Sequence, residues 1–99
     1  MKNIALSADG DRKIYAVPDK AADHLEEYCT EFFRWLWESP CAEEYRRDGV
    51  VWYNEDDFIL WLNRHQFPEE PSTLVESLSG TGPGDPLPER YRDCPAFDF

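Results

Sequence analysis

The sequence contains few of the residues that bind transition metals or act as nucleophiles. Its three cysteines, Cys29, Cys41 and Cys94, are odd in number and form no C-x-x-C pair, and its only histidines are His24 and His65. This pattern predicts neither a disulfide framework nor a zinc site. We therefore expect free thiols, no bound metal and no cofactor.

Long apolar segments are also missing. The first ten residues, MKNIALSADG, contain one lysine and become polar by Ser7, without the apolar stretch of roughly 7 to 15 residues found in signal peptides. No run approaches the roughly 18 apolar residues of a membrane span. We expect a cytoplasmic protein that does not contact a membrane.

Sequence signatures of catalysis are missing as well. The glycine-rich stretch GTGPG, residues 80–84, is not followed by Lys-Ser/Thr and does not precede a helix, so it does not fit a phosphate-binding loop. A Cys-His nucleophilic pair would need an activated thiol, and nothing near Cys41 or Cys94 marks one. The sequence predicts a protein that is not an enzyme.

Basic residues are scarce. The chain has 10 lysines and arginines against 21 acidic residues, which gives a net charge of −11 over 99 residues. Such a surface repels nucleic acid and anionic lipid and attracts positively charged molecules. The charge therefore indicates a basic protein as partner and no direct contact with nucleic acid. It is compatible with mimicry of nucleic acid toward a nucleic-acid-binding protein.

Large aromatic side chains are abundant. Aromatic residues make up 15% of the chain, and each large ring can bury about 150 to 250 Å², which is enough for a real core in so short a chain. We expect one compact domain at residues 1–79, followed by a Pro/Gly-rich tail at 80–99. Two alternatives stay open for this tail, because Tyr91, Phe97 and Phe99 could dock it onto the domain or it could remain mobile.

Strands are predicted at 3–7, 12–17 and 50–53. Asp9-Gly10 between the first two is a strong hairpin signal, and Pro18 ends the second strand. The run VVWY, after the turn signal Asp48-Gly49, is typical of a third strand. Residues 73–78 fit a short helix, with a strand as the alternative.

Residues 19–38 have the pattern of one long amphipathic helix, with Asp19 as N-cap and Ser39-Pro40 after its end. Its apolar face contains Ala21, Leu25, Tyr28, Cys29, Phe32, Trp35 and Leu36. Its opposite face contains Asp19, Asp23, Glu26, Glu27, Glu31 and Glu38, with Lys20 and Arg34 as the only cations.

The segment NEDDFILWL, residues 54–62, combines adjacent carboxylates with a run of apolar residues. It lacks the alternating acidic ligands and the glycine of a calcium loop, and neighbouring helical carboxylates point about 100° apart. Asn54 followed by Asp57 instead approximates a capping box. We expect a second helix over 55–66, with Phe58, Ile59 and Leu62 facing inward. If it lies beside the first helix, Glu55 and Asp56 extend the same negative surface.

The candidate partner-binding residues combine the acidic faces with one tryptophan that lies away from the apolar side of the first helix. They are Asp23, Glu26, Glu27, Glu31, Trp37, Glu38, Glu55 and Asp56. A tryptophan among carboxylates suits a binder of basic surfaces. The alternatives are that the segment PCAEEY covers Trp37, and that the charge only keeps the protein soluble.

These patterns predict an α+β fold, in which a small antiparallel sheet, the N-terminal hairpin plus a third strand, packs against one long and one or two short helices. In size, acidity and aromatic content over residues 1–99, the chain resembles small anti-CRISPR and accessory proteins of phages and mobile elements. The resemblance is one of overall character, without a matching motif. It implies that the target is a Cas effector. Either the effector's guide, PAM or DNA contacts would be blocked, or the effector would be inhibited by another route.

We therefore expect this protein to inhibit a basic, nucleic-acid-binding protein without catalysing a reaction. We expect it to be a monomer or a weak dimer. An immunity protein or antitoxin against a basic toxin fits the same charge argument. A structural or oligomerising domain is a third alternative, in which the aromatic residues are buried at a self-interface.

Overall fold

The two N-terminal strands pair with each other in antiparallel orientation, as expected of a hairpin. A computed structural model describes residues 1–8, 11–78 and 85–99 of the chain. Strands β1 (Lys2–Ala8) and β2 (Asp11–Val17) are antiparallel, with Ala8 opposite Asp11 at one end and Lys2 opposite Val17 at the other. The strands predicted at 3–7 and 12–17 are confirmed. The predicted Asp9-Gly10 turn and the stretch at 80–84 lie outside the described residues.

Two later strands extend this pair into a mixed sheet. Strand β5 (Thr73–Leu78) joins β2 in antiparallel orientation, and β6 (Ala96–Asp98) joins β1 in parallel orientation, so the sheet order is β5-β2-β1-β6. Residues 73–78, for which helix and strand were both open, are therefore a strand. The α+β class is confirmed, although the sheet is mixed rather than wholly antiparallel.

The strand predicted at 50–53 is shorter than expected and lies outside this sheet. Within the described residues, strand β4 (Val50–Val51) pairs with β3 (Arg46–Arg47) alone, in a separate two-stranded hairpin. Asp48 and Gly49 have φ of 52° and 77°, as a two-residue hairpin turn requires. The edges of β1 and β2 are occupied by β6 and β5, and Asn54 already begins the next helix. Strand β4 therefore does not pair with β1 or β2.

The helix predicted over 19–38 is divided at His24. Helix α1 (Asp19–Asp23) is followed by α2 (Leu25–Glu38), with His24 at φ −127° and ψ 39° between them. Ion pairs hold α1 beside β1, since Lys2 Nζ lies 2.6 Å from Asp23 and the amino terminus lies 3.0 Å from Asp19. The prediction of Asp19 as N-cap was wrong, because Pro18 occupies that position. Periodicity missed the break because both halves keep a compatible apolar face.

The second predicted helix is confirmed over its full range. A 3-10 helix (Pro40–Tyr45) and the β3-β4 hairpin lead to α3 (Glu55–Trp61), which continues as a π-helical turn (Leu62–Gln66). Asp57 N–H donates to the Asn54 side chain at 3.2 Å, and Asn54 N–H donates to the Asp57 carboxylate at 2.9 Å. This is the expected capping box. Phe58, Ile59 and Leu62 are buried as predicted.

Removal of this cap should cost modest stability. We expect Asn54→Ala to lower the free energy of unfolding by about 1 kcal/mol, because it leaves an N–H of the first turn without its acceptor. Urea denaturation followed by circular dichroism measures the change. Asn54→Ser, which keeps a capping oxygen, is the control and should lose much less. Equal loss in both variants would contradict the role of the cap.

Both faces of the main sheet are covered. Ile4 and Leu6 of β1 pack under the helices, whereas Ala5, which points to the opposite face, packs with Ile14, Leu78 and Tyr91. Residues 85–95 therefore cover the second face. The Glu76 carboxylate accepts from Arg90 at 2.7 Å and from the Tyr91 hydroxyl at 2.6 Å.

The last residues also belong to the sheet and the core. Strand β6 pairs with β1, Phe99 N–H donates to Ser7 O at 2.8 Å, and the Ser7 hydroxyl donates to Asp98. The Phe97 and Phe99 rings contact Phe33 at 6.2 and 5.9 Å between centroids. Of the two alternatives left open for the tail, its last residues adopt the docked one.

Buried thiol and phenol groups should make stability fall in alkali. Burial, with Glu26 adding to it, raises the pKa of Cys29 from 9.0 to about 12, and burial followed by the hydrogen bond to Asp56 raises the pKa of Tyr15 well above 10.0. The unfolded chain therefore loses protons that the folded chain keeps, so this stability is present below about pH 9 and is lost as pH rises.

Each group should lower the free energy of unfolding by about 1.4 kcal/mol per pH unit between its unfolded and folded pKa. Melting temperatures between about pH 8 and pH 11 measure the effect. Cys29→Ala should flatten the part of this slope that begins near pH 9. A melting temperature that does not change over this range would contradict the linkage.

Candidate functional site

The exposed face of α2 contains four carboxylates of the predicted set, Glu26, Glu27, Glu31 and Glu38. They lie outward because Leu25, Cys29, Phe32 and Leu36 are all buried on the other side of the helix. Arg34, which lies 3.3 Å from Glu31, compensates this charge only in part, and His24 Nδ1 lies 3.4 Å from Glu27. We call these four carboxylates the acidic face.

Asp23 belongs to the same end of the molecule but is already paired. Its carboxylate accepts from Lys2 Nζ at 2.6 Å, and both side chains are about half exposed. The hydrogen bond to Asp23 is the main cause of the raised pKa of Lys2. Asp23 thus contributes less free charge to a partner than the four carboxylates of α2.

Glu55 is buried and does not extend the acidic face as predicted, whereas Asp56 is exposed but paired. Glu55 is only 6% exposed and lies 3.0 Å from Lys13 Nζ, while Asp56 lies 3.3 Å from the same ammonium and accepts from the Tyr15 hydroxyl. The hydrogen bond to Glu55 is the main cause of the raised pKa of Lys13. These acids attach α3 to β2, because α3 begins over that strand. The local sequence does not indicate this contact.

Trp37 is exposed, contrary to the alternative that PCAEEY covers it. Its side chain is 55% exposed. The 3-10 helix after α2 turns the other way, since Ala42 is buried and the Tyr45 ring lies 5.9 Å from Trp35. Trp37 therefore remains available on the surface, next in sequence to Glu38 of the acidic face.

Trp52 is a second exposed tryptophan, and it is not among the predicted partner-binding residues. It is 66% exposed and lies near the same end of α2, because Arg46 donates to Leu36 O at 2.8 Å and Arg46 also pairs with Val51. Val51 and Tyr53 pack against the core, so Trp52 points outward. The alternation in VVWY was the signal that could have identified it.

Shallow hollows lie along the acidic face where α1 meets α2. One, of about 350 Å³, is lined by Lys20, His24, Glu27, Tyr28 and Glu31, and a second, of about 450 Å³, includes Asp23 and Glu26. The break at His24 thus produces hollows on a surface that a continuous helix would leave smoother. Side chains of a partner could enter there.

The described ranges, which omit residues 9–10 and 79–84, contain no cluster of three or more His, Cys, Asp or Glu side chains able to hold a metal ion. Burial raises the pKa of both Cys29 and Cys94, which disfavours the reactive thiolate. Within the same ranges, no helix has the length and apolar character needed to cross a membrane.

Comparison with protein-family models, curated proteins and solved structures finds no match to this chain. A function is therefore inferred from its own surface. The distinctive combination is a helix face with four exposed carboxylates and, at its C-terminal end, two exposed tryptophans. Such a surface can attract and hold a cationic macromolecule.

Proposed function

We propose that this chain is a non-catalytic binding protein that inhibits a positively charged, nucleic-acid-binding protein by occupying its basic surface. The observation that carries the proposal is the exposure of Trp37, next in sequence to Glu38 of the acidic face, together with that of Trp52 near the end of the same helix. Tryptophan is enriched among the residues that dominate binding energy. A net charge of −11 favours a basic partner.

In this mechanism the acidic face takes the place of phosphate groups. Glu27 and Glu31 lie four residues apart on α2, a rise of about 6 Å, so their charges form a row along the helix. Lysine and arginine side chains of the target would pair with this row instead of with nucleic acid. Association should be fast and sensitive to salt.

A Cas effector is one target of this kind, as the resemblance in size, acidity and aromatic content to anti-CRISPR proteins implies. In such a complex the acidic face would block a basic channel for guide or target nucleic acid. Cleavage of target DNA by the purified effector, measured with and without this protein, tests that assignment directly.

Affinity capture from the native host tests the broader proposal. Immobilised protein is incubated with lysate at low and at moderate salt, and the retained proteins are identified. We expect a basic nucleic-acid-binding protein that is retained at low salt and released at higher salt. Its purified form should lose nucleic-acid binding when this chain is added. Capture of no basic protein at either salt would contradict the proposal.

Charge reversal on the acidic face should slow association. We expect the double variant Glu27→Lys/Glu31→Lys to lower the association rate constant for the captured partner by about tenfold at low salt, with a smaller effect at high salt. Stopped-flow or surface plasmon resonance measures the rate. The melting temperature should change little, since both side chains are exposed.

The matched control is Glu89→Lys/Asp93→Lys, which changes net charge equally. Its two side chains are exposed in the segment covering the opposite face of the sheet. An equal loss of rate in both double variants would indicate that net charge alone matters. That result would remove the acidic face from the mechanism.

A further inference from the structure

Two adjoining cavities between α2, the 3-10 helix and the end of α3 share three aromatic residues, Trp35, Trp61 and His65. Their volumes are about 300 and 220 Å³. We call the pair the Trp35 groove. It runs along the edge of the acidic face, because Glu31 and Glu38 line its larger cavity.

Aromatic rings form the walls of this groove. The Trp35 ring lies 5.9 Å from Tyr45 and 5.3 Å from His65, measured between centroids. Trp35 and Tyr45 are each partly exposed, so they keep ring surface available, while Trp61 is almost fully buried. Ring faces of this kind attract cations through their quadrupole.

The π-helical turn Leu62–Gln66 supplies one side of the groove. Its wider turn is closed by the hydrogen bond from Phe67 N–H to Leu62 O at 2.7 Å, and both Arg64 and His65 line the smaller cavity. Such turns frequently mark functional sites.

The charged groups of the groove are negative in balance. Four carboxylates line it, those of Glu31, Glu38, Glu44 and Asp57, against the guanidinium groups of Arg34 and Arg64. Arg34 is paired with Glu31 at 3.3 Å. Burial, followed by the charges of Asp57 and Glu44, raises the pKa of Tyr45, and Arg64 opposes this rise only in part. An anion is therefore disfavoured beside this ring.

We propose that the Trp35 groove receives a lysine or arginine side chain of the partner. This inference rests on the proposed function for the partner's basic character, and adds the place where one of its cations inserts. The cation would lie against the Trp35 and Tyr45 rings, with Glu44 and Asp57 near its charge. Both features favour a cation over a neutral side chain of the same shape.

A small probe tests the groove without any partner. The protein is titrated with Nα-acetyl-arginine amide, and the tryptophan indole N–H signals are followed by NMR, with Trp35→Phe used to assign the Trp35 signal. We expect a saturable shift of that signal with millimolar affinity. The neutral analogue Nα-acetyl-citrulline amide has nearly the same shape and should cause much less shift. Equal shifts, or none with the arginine probe, would overturn the inference.

Two neighbouring glutamates provide matched variants. Glu44 lines the groove, whereas Glu43 is also exposed but lines neither cavity. We expect Glu44→Gln to weaken binding of the arginine probe about threefold, and Glu43→Gln to leave it nearly unchanged. Equal weakening in both variants would reduce the effect to net charge and overturn the inference.

The same variants separate this inference from the proposed function. If a basic partner is captured but Glu44→Gln and Glu43→Gln bind it equally, the groove is not its cation site, while the proposed function stands. If the arginine probe binds with the expected dependence on Glu44 and no basic protein is captured, the groove stands and the proposed function fails.

Discussion

Phe32→Ala should lower the free energy of unfolding by about 3 to 5 kcal/mol. Phe32 is fully buried at the centre of the aromatic core. Its ring lies 5.5 to 6.2 Å, between centroids, from the rings of Phe33, Trp35, Tyr53, Phe58, Trp61 and Phe99. These neighbours lie on α2, on α3, between β4 and α3, and directly after β6, so a cavity here would loosen several elements at once.

Urea denaturation followed by tryptophan fluorescence and circular dichroism measures this loss. A small domain is stable by only about 5 to 15 kcal/mol, so the Phe32→Ala variant can be partly unfolded at about 37 °C. Trp37→Ala, on the same helix but exposed, is the control and should change stability by less than about 0.5 kcal/mol. Comparable losses in both variants would contradict the assignment of the core.

Local patterns predicted the helices well. The apolar spacing of α2 depends only on helical period, and the Asn54-Asp57 capping box only on residues one turn apart, so the sequence carried both signals completely. The break at His24 escaped prediction because both halves keep a compatible apolar face, and the ion pairs between α1 and the N-terminal residues leave no local signal. These contacts join residues about 20 positions apart, which periodicity does not register.

Strand partners were much harder to predict. The run VVWY has stronger strand propensity than TLVESL, yet the latter pairs with β2, because Leu78 completes a small apolar cluster with Ile14 and Tyr91. Strand β6 pairs with β1 across more than 90 positions of sequence. Propensity describes a residue's fit to a strand and not the edge at which it pairs.

The candidate site was predicted where it depends on one helix. Exposure of Glu26, Glu27, Glu31 and Glu38 follows from the periodicity of α2 alone. Glu55 was assigned wrongly because its partner Lys13 lies on another element. The Trp35 groove needed three separate segments to come together, and neither Glu44 nor His65 carries a local signal of that contact.

The double variant Trp37→Ala/Trp52→Ala should have the largest effect on partner binding. Each tryptophan is more than half exposed in the free chain, so it has much apolar surface to bury in a complex. Loss of one such anchor commonly costs 2 kcal/mol or more, equivalent to about a 30-fold weaker Kd. We expect each single variant to approach this loss, and the double variant to bind the captured partner too weakly for stable retention.

Isothermal titration calorimetry with the captured partner measures these affinities. Leu74→Ala is the matched control, because Leu74 is 54% exposed on β5, at the edge of the sheet and outside the acidic face. Its affinity should equal that of the unmodified chain, and all variants should melt at similar temperatures. Unchanged affinity in the double variant would show that Trp37 and Trp52 do not anchor the partner. The acidic face and the Trp35 groove would then have to supply the binding energy, and affinity would fall steeply with salt.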